Sequence, residues 1–119
     1  MTLADQSTDP KTFLPLSAPV YQILVSLVDE DRHGYGILRE IEHRAGGEVR
    51  LGTGTLYTAM KRLVAAGLIE ETEERPDPEL DDHRRRYYRL TRLGRSVAAA
   101  EAARMDGLVG LARQKSLLT

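Results

Sequence analysis

Arginine side chains are concentrated in one segment of this 119-residue chain. Residues 84–95 contain six arginines and no acidic residue, whereas residues 70–82 contain eight acidic residues and a single arginine. The planar guanidinium group is suited to binding phosphates and the edges of guanine bases. The arginine segment could therefore bind nucleic acid, although the same charges could form a solvated turn paired with the neighbouring acids.

The net charge of the chain hides this asymmetry. Its 17 lysines and arginines and 18 aspartates and glutamates give a formal net charge of -1. Because two adjacent blocks of opposite charge cancel in the total, the net charge neither supports nor excludes a nucleic-acid partner.

The residue types that carry catalysis or bind metals form no recognisable arrangement. The chain has no cysteine, and His33, His43 and His83 are too far apart in sequence for a metal-ligand spacing. Residues 52–55, rich in glycine and threonine, lack the Gly-Lys-Ser/Thr ending of a phosphate-binding loop. We therefore predict a protein that is not an enzyme and has no catalytic residues, metal or cofactor.

Hydrophobic periodicity predicts two helices in the first part of the chain. Ser17 is the predicted N-cap of the first helix. A break at residues 33–36 precedes the second helix, which is predicted from Ile37 to about Arg44. We expect His33 to cap or pack at this junction.

A third helix is predicted to present one apolar and one polar face. Residues 52–55 open it, with Gly52 or Thr53 as N-cap, and Gly67 ends it. Its apolar stripe, which should face the core, consists of Leu56, Met60 and Leu63. The opposite side carries hydroxyl and cationic side chains that suit the major groove of DNA: Thr55, Thr58, Lys61 and Arg62, with Tyr57 at the edge. An ordinary solvated helix face is the alternative.

Two strand-like segments follow, at residues 68–73 and 86–90, joined by a charged loop at about residues 75–85. Three helices and a hairpin in this order are typical of the winged helix-turn-helix, whose third helix enters the major groove and whose hairpin, the wing, lies along the DNA. The predicted fold class is thus mainly α with a small β-hairpin (α+β). The candidate DNA contacts are Thr53, Gly54, Thr55, Tyr57, Thr58, Lys61 and Arg62 of the third helix and Arg84, Arg85 and Arg86 of the wing.

The last helix, for which Thr91 is the predicted N-cap, has a second half with more apolar surface than a small domain can cover. We predict dimerisation through this half, because palindromic DNA sites require two-fold symmetric proteins. The residues concerned are Met105, Leu108, Leu111 and Ala112. Packing of this helix back onto its own domain is the alternative.

The chain is predicted to divide into three parts. Residues 1–15 form a flexible tail in which Phe13 and Leu14 could dock, residues 16–91 form the winged-helix domain, and residues 92–119 form the dimerisation helix. No apolar run approaches the length of a membrane span, and the first residues lack the apolar stretch of a signal peptide. We therefore expect a cytoplasmic protein without a membrane partner.

Several spaced motifs occur together in one order along residues 16–100. They are Leu16-Ser17, His33-Gly34-Tyr35-Gly36-Ile37, Gly54-Thr55-Leu56-Tyr57, Lys61-Arg62-Leu63, Gly67-Leu68-Ile69, and Arg85-Arg86-Tyr87-Tyr88-Arg89-Leu90-Thr91 with Gly94. In these motifs the chain resembles the PadR family of transcriptional regulators, in a compact form with a single C-terminal helix.

The resemblance implies a homodimer that binds an inverted-repeat operator, usually as a repressor. It places the recognition positions at Gly54, Thr55, Tyr57, Thr58 and Lys61, with Arg85 and Arg86 on the wing. In some members a small aromatic or hydrophobic compound releases the DNA. Where the family often has Ser or Thr followed by Pro, this chain has Gly52 and Thr53, which alters the N-cap, and it has no Trp for the stacking pair of some drug-binding relatives.

The leading hypothesis is a sequence-specific DNA-binding regulator whose partners are double-stranded DNA and a second copy of the chain, with a small-molecule effector as a further candidate. Two other classes stay open. One is a winged-helix module that binds a basic protein through the acidic hairpin, and the other is a ligand sensor whose main activity is to bind a small molecule.

Overall fold

The computed structural model describes residues 8–44, 51–73 and 86–119. This part of the chain forms four α-helices, a short 3-10 turn and a three-stranded antiparallel sheet, as the predicted α+β winged-helix class requires. The elements are an N-terminal turn (Pro10–Phe13), α1 (Ala18–Ser26), β1 (Arg32–His33), α2 (Gly34–Arg44), α3 (Thr53–Ala65), β2 (Ile69–Thr72), β3 (Tyr87–Leu90) and α4 (Arg92–Gln114).

Hydroxyl side chains cap the start of two of the four α-helices where the sequence predicts them. The Ser17 hydroxyl accepts a hydrogen bond from the Val20 N–H at the start of α1, and the Thr91 hydroxyl accepts one from the Gly94 N–H at the start of α4. Of the two N-cap candidates for α3, Gly52 takes the position and supplies no side-chain hydrogen bond. Gly67, with a φ of 79°, follows the end of α3.

The predicted break at residues 33–36 is wrong in its extent. Helix α2 begins at Gly34, and Arg32–His33 forms β1, which pairs with β3 so that His33 lies opposite Tyr87. The sheet order is therefore β1–β3–β2 instead of an isolated hairpin. The expected capping role of His33 is confirmed, because its Nδ1 accepts a hydrogen bond of 2.9 Å from the Gly36 N–H.

One hydrophobic core joins the helices to the sheet. The stripe predicted on α3 is buried as expected, and it meets Ile23 and Leu24 of α1, together with Ile37 and Ile41 of α2. Within the segment predicted as a tail, Phe13 and Leu14 pack against this core. The folded unit therefore includes part of residues 1–15. No helix in the described part of the chain is long and apolar enough to span a membrane.

The first turn of α4 packs directly on the turn that follows α3. The Thr91 N–H donates to the Leu68 carbonyl at 3.1 Å, and the Thr91 hydroxyl lies 2.6 Å from the Gly67 carbonyl oxygen. A Cβ atom on Gly94 would lie 1.9 Å from the Leu68 carbonyl oxygen. Only glycine fits this contact, because the obstacle is a backbone atom.

A buried carboxylate fixes the N-terminal segment to α4. The Glu101 side chain is 1% exposed and accepts a 2.7 Å hydrogen bond from the Leu16 N–H, while Arg104 binds its other oxygen. The hydrogen bond from Arg104 lowers the pKa of Glu101 below its usual value, burial opposes this, and the Leu16 N–H adds to the lowering.

Replacing Gly94 with alanine should destabilise the fold by more than about 2 kcal/mol, because the added methyl group would overlap the Leu68 carbonyl. Gly107→Ala is the matched control: the same helix receives the same substitution, and apart from the adjacent residues and the backbone of its own helix nothing lies within 4 Å of the added Cβ. Helix propensity should make this control more stable by up to about 1 kcal/mol. Urea denaturation measures both variants, and equal free energies of unfolding would contradict the close contact.

The stability contributed by ionised Glu101 should depend on pH. Because its pKa is lower in the folded chain, this contribution is fully present above the unfolded value, close to 4.5, and is lost as pH falls through the folded value. Glu101→Gln keeps an acceptor for the Leu16 N–H but does not titrate. Urea denaturation between about pH 7 and pH 3 should show the wild type losing more stability than this variant, and parallel losses would refute the assignment.

Candidate nucleic-acid interface

The polar face of α3 is exposed along its whole length. Its predicted contact residues, Thr53, Gly54, Thr55, Tyr57, Thr58, Lys61 and Arg62, are all exposed, while Leu56, Met60 and Leu63 on the other side are buried. The burial of this stripe fixes the rotation of α3 about its axis, because an apolar face of a helix must pack on the core. One continuous surface of hydroxyl, phenol and cationic groups is thereby turned outward.

Tyr57 is partly exposed to solvent, and its ring also contacts α2. Its side chain is 47% exposed, and its ring lies against Gly34, the first residue of α2. A Cβ on Gly34 would lie 2.6 Å from the Tyr57 hydroxyl oxygen. The positioning role of Gly34 was not predicted, since spacing along the chain carries no sign of a contact between these two helices.

The described part of the wing adds one of the three predicted arginines to this surface. Arg86 is exposed, and its Nη1 atom lies 3.3 Å from the Glu71 carboxylate across the β2–β3 pair. Arg84 and Arg85 lie outside the described residues. Arg86 thus extends the cationic surface from α3 to the base of the wing, where an acidic side chain is also present.

A groove of about 510 Å³ separates α3 from the base of the wing. Its lining includes Tyr57, Thr58 and Lys61 on the helix side and Glu71, Arg86 and Tyr88 on the sheet side. Burial raises the pKa of the Tyr88 phenol, the negative charge of Glu71 raises it further, and Arg86 opposes this. The charges of Glu71 and Arg86 therefore both act inside the groove.

A second groove, of about 750 Å³, lies on the other side of α3. Its lining includes Phe13, Leu16 and Val20 on one wall and Thr55, Thr58 and Arg62 on the other. An apolar cavity of this size with a few polar groups is typical of small-molecule sites. The sequence does not predict this groove, because Phe13 belongs to residues 1–15, which are predicted to form a tail.

The predicted dimerisation residues lie on the part of α4 that extends beyond the core. Val97, Ala98 and Glu101 are buried, and the same helix face continues with Met105, Leu108 and Ala112 at helical spacing. Leu108 is 53% exposed and Leu111 45% exposed, whereas Met105 and Ala112 are half-buried. Packing back onto the domain, the alternative for this helix, therefore applies to its first half and not to Leu108 and Leu111.

The described residues provide no arrangement for metal binding. They contain no group of three or more His, Cys, Asp or Glu side chains that could hold an ion. His33 is used as a helix cap, His43 is exposed near the end of α2, and His83 lies outside the described residues.

Comparison with known proteins connects this architecture to a family. The family model described as "Transcriptional regulator PadR-like family" matches residues 23–100. An uncharacterised 37.1 kDa protein of transposon TN4556 from Streptomyces fradiae is 39% identical over 88 residues, which is 74% of this chain. The chain spans less than two thirds of the length of the curated relatives it matches, and 23% of the S. fradiae protein.

Two solved structures show the same fold. A PadR family transcription regulator from Clostridium difficile R20291 has a TM-score of 0.68 at 24% identity, and the match covers 82% of this chain and 97% of that one. The PadR protein of Bacillus subtilis, solved in complex with operator DNA, has a TM-score of 0.58 at 21% identity, over 71% of this chain and 46% of that one. At these identities the likeness establishes the fold of the chain.

Proposed function

The chain belongs to the PadR-like family of transcriptional regulators, and we propose that it binds an inverted-repeat DNA operator as a homodimer and acts as a repressor. The observation that carries this proposal is the exposed face of α3, with its hydroxyl and cationic groups next to Arg86 of the wing. The B. subtilis PadR structure, in which a protein of the same fold is bound to operator DNA, supports it.

The dimensions and polarity of α3 suit the major groove. A helix of 13 residues is about 20 Å long. Its diameter with side chains, about 10–12 Å, matches the width of the major groove, about 12 Å. Thr55 and Thr58 would meet base edges, whereas Lys61, Arg62 and Arg86 would bind phosphates and fix the register on the duplex. The first turn of α3 has neither a side-chain cap nor an acidic residue, which also favours a phosphate there.

A second copy of the chain would cover the apolar side chains on the exposed half of α4. Leu108 and Leu111 lie on the face whose first half is already buried in the core, so two α4 helices that pack together would extend one apolar surface across a two-fold axis. Such a dimer presents two α3 helices, and an inverted repeat matches this symmetry.

The groove beside α1 supports the effector part of the proposal. A small apolar or aromatic compound in it would contact Phe13 and Leu16 on one side and Thr55 and Thr58 on the other. Because these threonines also belong to the proposed DNA-binding face, such a ligand would change the shape of that face and lower DNA affinity.

The DNA-binding proposal is favoured over an acidic protein-interaction module by the pairing of the described acidic residues on β2. Glu70 lies 3.5 Å from Arg89 and Glu71 lies 3.3 Å from Arg86, so each of these carboxylates has an arginine beside it, and the base of the hairpin is not the uniformly acidic surface that would attract a basic protein. Selection of bound duplexes from a random pool separates the two functions. Enrichment of a palindrome supports the operator, and no enrichment at moderate salt supports the interaction module.

Lys61→Ala and Arg86→Ala should each weaken binding to the selected duplex and reduce the salt dependence. Each lost phosphate contact lowers the slope of log K against log salt by roughly one unit per protomer. Lys115→Ala is the control, because it removes the same charge next to the far end of α4, about 34 Å from the wing along a 23-residue helix. Fluorescence anisotropy across a salt series measures this, and an unchanged slope would refute the assigned contact.

Leu108→Asp should convert the dimer to a monomer, since it places a charge in the apolar surface proposed to be buried. Ala103→Asp is the control: it introduces the same charge on an exposed position about 140° around the same helix. Sedimentation equilibrium reports the mass of each variant. A dimer that survives Leu108→Asp would place the interface elsewhere.

A further inference from the structure

Two neighbouring acidic residues of β2 face opposite sides of the sheet. Glu71 pairs in register with Tyr88, and Glu70 pairs with Arg89. Directly opposite residues of an antiparallel pair share a face, and successive residues alternate. Because Tyr88 belongs to the hydrophobic core, Glu71 is on the inner face toward α3, whereas Glu70 is on the outer face.

Glu71 brings a negative charge into the groove that the proposed function assigns to DNA. Its carboxylate lines the groove with Lys61 of α3, and it pairs with Arg86 at 3.3 Å. Both partners are exposed, with 51% of the Glu71 side chain and 74% of the Arg86 side chain accessible. A phosphate that enters the groove therefore meets an arginine that already has a carboxylate partner.

Ion pairs of this kind are weak and exchange partners readily. An exposed pair is stabilised only slightly, since water screens both charges. A DNA phosphate can replace the Glu71 carboxylate on Arg86, but the displaced carboxylate then stays close to the negatively charged backbone. Glu71 thus opposes binding in two ways: it occupies Arg86 before DNA arrives, and it repels the phosphate afterwards.

We propose that Glu71 attenuates DNA binding by this chain, because it competes with backbone phosphate for Arg86 in the groove between α3 and the wing. The inference rests on the proposed DNA-binding function and adds a residue that lowers affinity. Phosphate contacts carry no sequence information. Glu71 therefore lowers affinity for the operator and for random DNA alike, and the ratio of the two affinities does not depend on it.

Glu71→Gln tests this proposal in the full-length protein, because glutamine keeps the shape of the side chain and removes its charge. Affinity for both the selected and a random duplex should rise about two- to fivefold at low salt, and the salt slope should steepen by up to about one unit per protomer. Glu70→Gln is the matched control, a neighbouring glutamate that pairs with Arg89 on the outer face. It should raise affinity less than half as much.

A double variant tests whether the effect of Glu71 on DNA affinity depends on Arg86. In an Arg86→Gln background, Glu71→Gln should produce less than half of its gain in affinity, because the arginine it releases is absent. Thermal melting of each variant confirms that the compared proteins are folded. An undiminished gain in that background would overturn the competition for Arg86.

Failure of the inference and failure of the proposed function can be distinguished. If the wild type and all variants bind no duplex at low salt, the DNA-binding function itself is wrong. If the wild type binds DNA and Glu71→Gln raises affinity by less than about twofold, or Glu70→Gln raises it at least half as much, the function stands and the role of Glu71 is refuted.

Discussion

The Leu68 carbonyl oxygen lies so close to the first turn of α4 that a Cβ on Gly94 would be 1.9 Å from it. At this contact the end of the helix proposed to read DNA, the start of the wing and the start of the proposed dimerisation helix meet. Thr91 strengthens it by hydrogen bonds to both Gly67 and Leu68. In a two-fold dimer the distance between the two α3 helices depends on the angle between α3 and α4, so this contact bears directly on the half-site spacing that the dimer can bind.

Features encoded within a few residues could be predicted from the sequence. Ser17 and Thr91 are caps because their hydroxyls bind N–H groups three residues ahead, and the stripe on α3 follows from helical spacing alone. Features that need distant partners could not. A strand of two residues such as β1 has no periodicity, and it exists because it pairs with β3. Likewise, the sequence indicates that Phe13 could dock but not where, because its partial burial depends on helices that follow it in the chain.

The charge pattern along the sequence does not show how the charged residues are arranged around the groove. Sequence order shows an acidic block followed by a basic one, whereas the sheet sorts the members of each block by face. Glu71 and Arg86 reach the groove beside α3, while Glu70 and Arg89 pair on the outer side. Because successive residues of a strand face opposite sides of the sheet, the two ion pairs at the base of the hairpin have different surroundings. Of the two, the Glu71–Arg86 pair lies beside the face of α3 proposed to bind DNA.

The N-terminal segment connects the two surfaces that the proposed function uses. Leu16 donates its N–H to the buried Glu101 of α4, and the same residue lines the apolar groove beside α3. A compound that enters this groove would press on a segment whose position is fixed by α4 and on the threonines of α3. Because Glu101 is buried on the face that continues to Leu108, displacement of Leu16 would disturb the helix proposed to join the two protomers as well as the helix proposed to read DNA. An effector could therefore alter both helices without entering the dimer interface.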